Sequence, residues 1–182
     1  MTHSLLLHTS RLTIVGISDI NTRDLIDYFT LNREHLRFAG GRVPETPEEV
    51  RAVRDNWLTQ VQEGREVRFF LLQEEQLIGV AGISNIVRGA FQAAYLGYNL
   101  AEHCQGQGLM TEALEEIVAF AFSALNLHRL MANYRPDNVA SERVLQKLGF
   151  VREGMARDYL RVDGEWADHV LTALTNPSWR EN

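Results

Sequence analysis

Two short clusters in this chain carry groups suited to chemistry. The first is Gln105-Gly106-Gln107-Gly108-Leu109-Met110-Thr111. Glycine lets a backbone approach a ligand with no side chain in the way. The residues that follow, Leu109 to Leu125, have amphipathic helical spacing. A glycine turn feeding a helix start aims free N–H groups at an anion, and the helix dipole adds to the attraction. Two readings stay open for this stretch: a phosphate cradle, or a plain strand-to-helix turn. The second cluster is Asn138 and Ser141, three residues apart at the start of a short helical run. One helical turn puts the amide and the hydroxyl on the same face. Asn138 also suits the N-cap of that run.

The glycine turn is not one of the common nucleotide loops. A Walker A loop needs a lysine after its last glycine, and none follows Gly108. A dinucleotide-binding fingerprint needs a third glycine and the first strand of a βαβ unit. Gly106 and Gly108 lack that third glycine and lie past the middle of the chain.

The elements around the clusters can be read from local pattern. Arg11 to Ile17 reads as a strand by its β-branched content. Asn21 to Phe38 has helical spacing, in one or two pieces, and Arg37 to Val43 reads as a loop. Thr46-Pro47-Glu48-Glu49 is a capping box that opens a helix along Val50, Val53, Trp57, Leu58 and Val61. Val67–Gln73, Leu77–Ile86 and Ala93–Leu100 form an antiparallel meander. After the glycine turn and its helix come a strand at His128–Tyr134, a helix at Asn138–Leu148, and strands at Val151–Tyr159 and Glu165–Leu174. An Asp163-Gly164 hairpin turn joins the last two. The order predicts a single α/β domain over residues 1–182 with a mixed sheet.

With both clusters in view, the chain resembles the GNAT acyl-CoA N-acyltransferases. The resemblance rests on Gln105-x-x-Gly108, on Asn138-x-x-Ser141, and on the closing Leu148-Gly149-Phe150. Thr9-Ser10-Arg11-Leu12-Thr13-Ile14 and the runs Val87–Tyr98 and Asp158–Leu174 resemble the ribosomal-protein alanine N-acetyltransferase branch. The resemblance implies the GNAT fold, with a mostly antiparallel sheet, splayed central strands and flanking helices. It implies acetyl-CoA as cofactor, with Leu100, Gln105 to Thr111, Asn138 and Ser141 around it. A backbone N–H near Leu100 would bond the thioester carbonyl, the kind of contact that stabilises developing negative charge. Many members place a tyrosine seven residues after the motif asparagine as the acid for sulfur; that position here is Leu145. Ser141 is then the hydroxyl left for the departing thiolate. Met110 stands where the family prefers glycine or alanine.

The same resemblance implies direct attack by an amine, with no enzyme nucleophile, so Cys104 reads as an incidental thiol. No metal ligand set is read from the chain. The implied acceptor is the N-terminal alanine of a small-subunit ribosomal protein. An α-amine is cheaper to deprotonate than a lysine by about 3.4 kcal/mol, so a weak base suffices. Glu102, Asp158, Glu165, Asp168 and His169 are the candidates, with Asp158 favoured. Tyr98, Tyr134 and Tyr159 are candidates for the acceptor pocket, and Trp166 and Trp179 for a peptide groove or a dimer seam.

Composition narrows the partners. A net charge of −6 argues against general nucleic-acid binding and suits a basic protein. One cysteine excludes an internal disulfide and fits a reducing cytoplasm. Leu5-Leu6-Leu7 is too short for a signal-peptide core, and no membrane-spanning run occurs. The chain is expected to be cytoplasmic, as a monomer or homodimer. Two other functions remain open: acetylation of a small-molecule amine (polyamine, amino acid or antibiotic), and an acyl-CoA-binding module for ribosome assembly.

Overall fold

Short apolar strands and two well-capped helices build one sheet covered on both faces. A computed structural model describes residues 5–37 and 42–181. The elements are β1 (Leu6–His8), β2 (Thr13–Val15), α1 (Thr22–Leu36), α2 (Pro47–Gln62), β3 (Val67–Gln73), β4 (Gln76–Val87), β5 (Ala93–Leu100), α3 (Leu109–Ser123), β6 (Arg129–Tyr134), α4 (Val139–Lys147), β7 (Val151–Val162) and β8 (Glu165–Thr175). The sheet order is β1-β2-β3-β4-β5-β6-β8-β7. Among the described residues, β5 and β6 are the one parallel pair, so the sheet is mixed and mostly antiparallel.

Alternation along β3 shows how the layers form. Phe69 and Phe70 are both fully buried, on opposite faces. Phe69 meets Phe120 of α3 edge-on, with centroids 5.6 Å apart, and Phe70 meets Trp57 of α2 at 6.1 Å. Burying such a side chain stabilises the fold by about 1.5–3 kcal/mol. The sheet is thus fixed between α1 and α2 on one side and α3 on the other.

Local signals set most boundaries. The Thr46 hydroxyl caps α2 by accepting from the Glu49 N–H at 3.2 Å. The reciprocal bond of the capping box slips by one residue, since Glu49 accepts from the N–H of Glu45 at 2.7 Å. At the β7–β8 turn, Asp163 and Gly164 both take positive φ, 48° and 88°, as a two-residue hairpin requires.

Three readings change. β1 is a strand that Leu5-Leu6-Leu7 does not announce, because a three-residue apolar run has no alternation. The strand expected over 11–17 shortens to Thr13–Val15, since Arg11 turns away to bond α3. The helical run over 21–38 is a single helix ending at Leu36; the middle of the predicted Arg37–Val43 loop lies outside the described residues.

Candidate active site

The site begins where β5 and β6 part. They pair over only three positions, Ala93–Tyr95 against Arg129–Met131. Beyond these, β5 stays with β4 as far as Leu100, and β6 stays with β8 as far as Tyr134. The space between them is a cleft of about 740 Å³, lined by Leu96 to Leu100, Ala132 to Arg135, the glycine turn and the first turn of α4. The N–H of Ala101 bonds Ile78 of β4 at 2.8 Å. Successive N–H groups alternate between strand edges, so that of Leu100 faces the open cleft. That N–H is the donor which the family resemblance assigns to the thioester carbonyl.

At one end of the cleft the glycine turn is held from behind. Gly106 and Gly108 have φ of +73° and +78°, a conformation that side chains resist. A Cβ on Gly106 would meet nothing within 4 Å, so the space over the turn is open. Gly108 starts α3, and no side chain caps it among the described residues, which leaves the first N–H groups of the helix free. Leu109 and Met110 send their side chains into the core and present only backbone. Gly106, Gly108, Leu109, Met110 and Thr111 all border the cleft. Gln107 does not: its amide bonds the His103 carbonyl at 3.0 Å.

Two clamps position this turn. Arg11 donates to Glu112 from its backbone N–H at 2.9 Å and from Nε at 2.7 Å, and its Nη1 donates to the Gln107 carbonyl at 2.9 Å. The Ser10 hydroxyl adds a bond to Glu112 at 3.0 Å. Burial alone would raise the Glu112 carboxyl, but the bonds from Thr9, Arg11 and Ser10 win and hold it at about 2. The second clamp is one face of α1. Tyr28 donates to Asn99 at 2.6 Å, Asn32 accepts from the Glu102 N–H at 3.3 Å, and His35 Nε2 lies 2.8 Å from Gln105 Nε2. Residues 28, 32 and 35 share a helix face. They follow the chain from β5 into the turn.

Across the cleft, Asn138 caps α4 by accepting from the Ser141 N–H at 3.0 Å. Ser141 Oγ lies 2.8 Å from the hydroxyl of Tyr98 on β5. Tyr98 therefore reaches the Ser141 hydroxyl itself, rather than only lining an acceptor pocket. Burial pushes its phenol up to about 12, against the pull of the Ser141 bond. Tyr134 donates to Glu142 at 3.2 Å, and burial, then Glu142, raises its phenol. The Tyr159 hydroxyl accepts from Asn133 at 3.0 Å; burial, then Tyr95, raises it. Cys104 borders the cleft but is buried, and burial pushes its thiol up, which disfavours a nucleophilic thiolate.

The five base candidates separate in space. Asp158 is exposed on a bulge of β7 with φ of 46°; its N–H bonds Asp168 at 2.9 Å, and it does not line the cleft. Glu102 and Glu165 are exposed and also outside the lining. His169 of β8 is 3% exposed and lines the cleft. Its Nδ1 lies 2.9 Å from the Ala167 carbonyl, which makes Nδ1 the protonated nitrogen and Nε2 the acceptor. Among the described residues nothing bonds Nε2. Trp166 is 63% exposed on the β7–β8 hairpin. Trp179 instead donates to the Asn126 carbonyl at 3.0 Å and packs edge-on against His128, so it fastens the C-terminal tail.

A parallel strand pair that splays beside a glycine turn and a free helix N-terminus leaves a cleft suited to an extended, phosphate-bearing ligand. The chain belongs to the GNAT acetyltransferases: the acetyltransferase (GNAT) domain matches residues 11–151. It is an N-acetyltransferase, and acetyl-CoA is its acyl donor. It is 40% identical to the [ribosomal protein uS5]-alanine N-acetyltransferase of Escherichia coli, over 95% of this chain and 92% of that one. Among solved structures it is similar to the ribosomal-protein-S5-alanine acetyltransferase of Vibrio fischeri, with a TM-score of 0.87 and 32% identity, over 97% of this chain and all of that one. It also superposes on Mycobacterium smegmatis RimJ in complex with CoA-disulfide, with a TM-score of 0.85 and 26% identity, over 98% and 90% of the two chains. No helix among the described residues is long and apolar enough to cross a membrane.

Proposed function

We propose that this chain transfers acetyl from acetyl-CoA to the N-terminal α-amine of a protein that begins with alanine, and that the acceptor is a small-subunit ribosomal protein met in the cytoplasm. The observation that carries the acceptor is the near full-length similarity to an enzyme of that name. The acidic net charge of −6 supports a basic partner.

In this reading the turn from Gln105 to Thr111 receives the pyrophosphate through its backbone N–H groups. Bound acetyl-CoA supplies an activated thioester in the cleft. The Leu100 N–H bonds the carbonyl oxygen and favours the charge that develops there. Asn138 fixes the first turn of α4 and thereby the Ser141 hydroxyl, which bonds the departing sulfur. His169 Nε2 takes the proton that the amine releases, directly or through a water. Asp158, on the exposed bulge, is read as shaping the strand that carries Tyr159. Tyr134 and Tyr159 border the acceptor.

The test is initial rate on matched peptides: alanine-start, serine-start, bulky-start, and one with a blocked N-terminus but free lysines. The alanine-start peptide should be the best substrate and the blocked peptide inert. Equal rates on the blocked peptide, or a higher kcat/KM on spermidine or an aminoglycoside, would defeat the reading. In cells, one ribosomal protein should lose an acetyl mark by intact mass when the gene is deleted.

A further inference from the structure

The tyrosine that many relatives use as acid is absent here, and the structure shows what stands nearby instead. Leu145 holds that position and is 2% exposed, an apolar side chain with no proton to give. Ser141 lines the cleft and is the hydroxyl assigned above to the sulfur, yet an alcohol is a far weaker acid than a phenol or a thiol. A phenol reaches it from the other wall. Tyr98 Oη lies 2.8 Å from Ser141 Oγ, across the gap between β5 and α4. Both residues line the cleft. The hydroxyls of Tyr134 and Tyr159 are engaged elsewhere, on Glu142 and Asn133.

We propose that Tyr98 supplies the proton that Ser141 hands to the departing sulfur, replacing from β5 the tyrosine missing at Leu145. The inference rests on the acetyl-transfer reading above. The step balances. The amine nitrogen bonds the acetyl carbon, and the carbon–sulfur bond breaks with its electron pair on sulfur. Sulfur takes the proton of Ser141 Oγ as Ser141 takes that of Tyr98 Oη. The proton released by the amine, held on His169 or solvent, returns to the Tyr98 oxygen. Burial pushes the phenol up to about 12, which makes it a weaker donor than a free phenol but still a stronger one than an alcohol. Tyr98 acts through Ser141, so it is a positioning and proton-supplying residue whose loss must be felt at sulfur.

The direct experiment titrates the thiol of bound coenzyme A by its thiolate absorbance in wild type, Tyr98→Phe, Ser141→Ala and the double variant. Each single change should raise the thiol pKa by a similar amount, and the double variant should add nothing, because the two residues form one relay. Ser141→Thr keeps the hydroxyl and should preserve the dependence on Tyr98. In turnover, Tyr98→Phe should lower kcat by about 10²-fold, the lower part of the range for a positioned acid. The KM for acetyl-CoA should hardly move. A Tyr98→Phe variant with wild-type thiol titration, or losses that simply add, would overturn the relay. A wild-type protein that binds coenzyme A but acetylates no peptide would count against the acceptor alone, and the thiol titration would still decide the relay.

Discussion

The glycine turn at one end of the cleft and the β7–β8 hairpin, which lies outside the cleft lining apart from His169, are built to different standards. The glycine turn is clamped by Arg11 and Ser10 on one side and by the α1 face of Tyr28, Asn32 and His35 on the other. The β7–β8 hairpin carries a bulge at Asp158, an exposed Trp166, and a contact with α1 through Arg37 and Asp163 at 3.2 Å. Both partners of that pair are 45% exposed. Solvated pairs of this kind contribute about 0–1 kcal/mol. The difference matches the roles proposed for each region: a cradle of backbone N–H groups would need a fixed backbone, whereas a surface that meets a protein chain could adjust. His169 is the exception on the hairpin side: it is buried, oriented and part of the cleft.

The largest effect should come from that exception. His169→Gln should lower kcat by ~10²–10⁴-fold with folding preserved, the range for loss of a base. Steady-state kinetics on an alanine-start peptide measure it; a change under about threefold would return the base to solvent or to a carboxylate outside the cleft.

Next is the turn itself. Gly106→Val or Gly108→Val forces a β-branched residue into positive φ, a strain of about 1–3 kcal/mol. If the turn bears the strain, coenzyme A affinity should fall by ~10–100-fold. Calorimetry on folded protein reads this directly, and unchanged affinity in both variants would break the assignment of the turn as cradle.

The clamp behind the turn should matter less than the turn. Arg11→Ala removes charge-assisted bonds that contribute about 1.5–3 kcal/mol each where fully formed. The KM for acetyl-CoA should rise by about tenfold while the KM for peptide stays, since the lesion is on the cofactor side. A pH signature accompanies it. Glu112 is held at about 2 against an ordinary 4.5, so its contribution to stability is present above pH 4.5 and is lost as pH falls toward 2. Thermal melts of Glu112→Gln should therefore lose part of the wild-type pH dependence in that window. An identical dependence would mean that the clamp contributes nothing.

The smallest effect belongs to the hairpin. Arg37→Ala should change stability by less than about 1 kcal/mol and cofactor affinity not at all, with any effect confined to the KM for peptide. A large loss of coenzyme A binding in this variant would erase the contrast between the two regions.

Much of the fold and part of the site can be read without tertiary information, because the signals are local. The Thr46-Pro47 cap, the Asp163-Gly164 turn and the apolar run Val67–Gln73 each act within a few residues, and all three stand in the structure. So do the glycine turn before α3 and the Asn138 cap before Ser141. A resemblance in motif supplied the cofactor, since Gln105-x-x-Gly108 and Asn138-x-x-Ser141 are short and position-specific. What stayed hidden was contact between distant segments. Arg11 and Glu112 are 101 residues apart, and Tyr98 and Ser141 are 43 apart. No spacing rule relates such pairs; only the placing of α4 across the cleft from β5, and the packing of the N-terminal turn against α3, brings them together.

The base shows the same division. The sequence offered five candidates and favoured Asp158, a carboxylate at a strand end, over His169. Burial and direction separate them, and both are set by the sheet: the bulge between Ala156 and Leu160 leaves Asp158 exposed, while His169 on β8 lies among the cleft residues. The chain's own order of residues thus determined the elements, the glycine turn and the placing of Ser141 after the Asn138 cap, because helix caps and turns are written within a few positions. Which groups meet across the cleft was decided by the tertiary fold, because that depends on how far β5 and β6 splay and on what the neighbouring helices press against them.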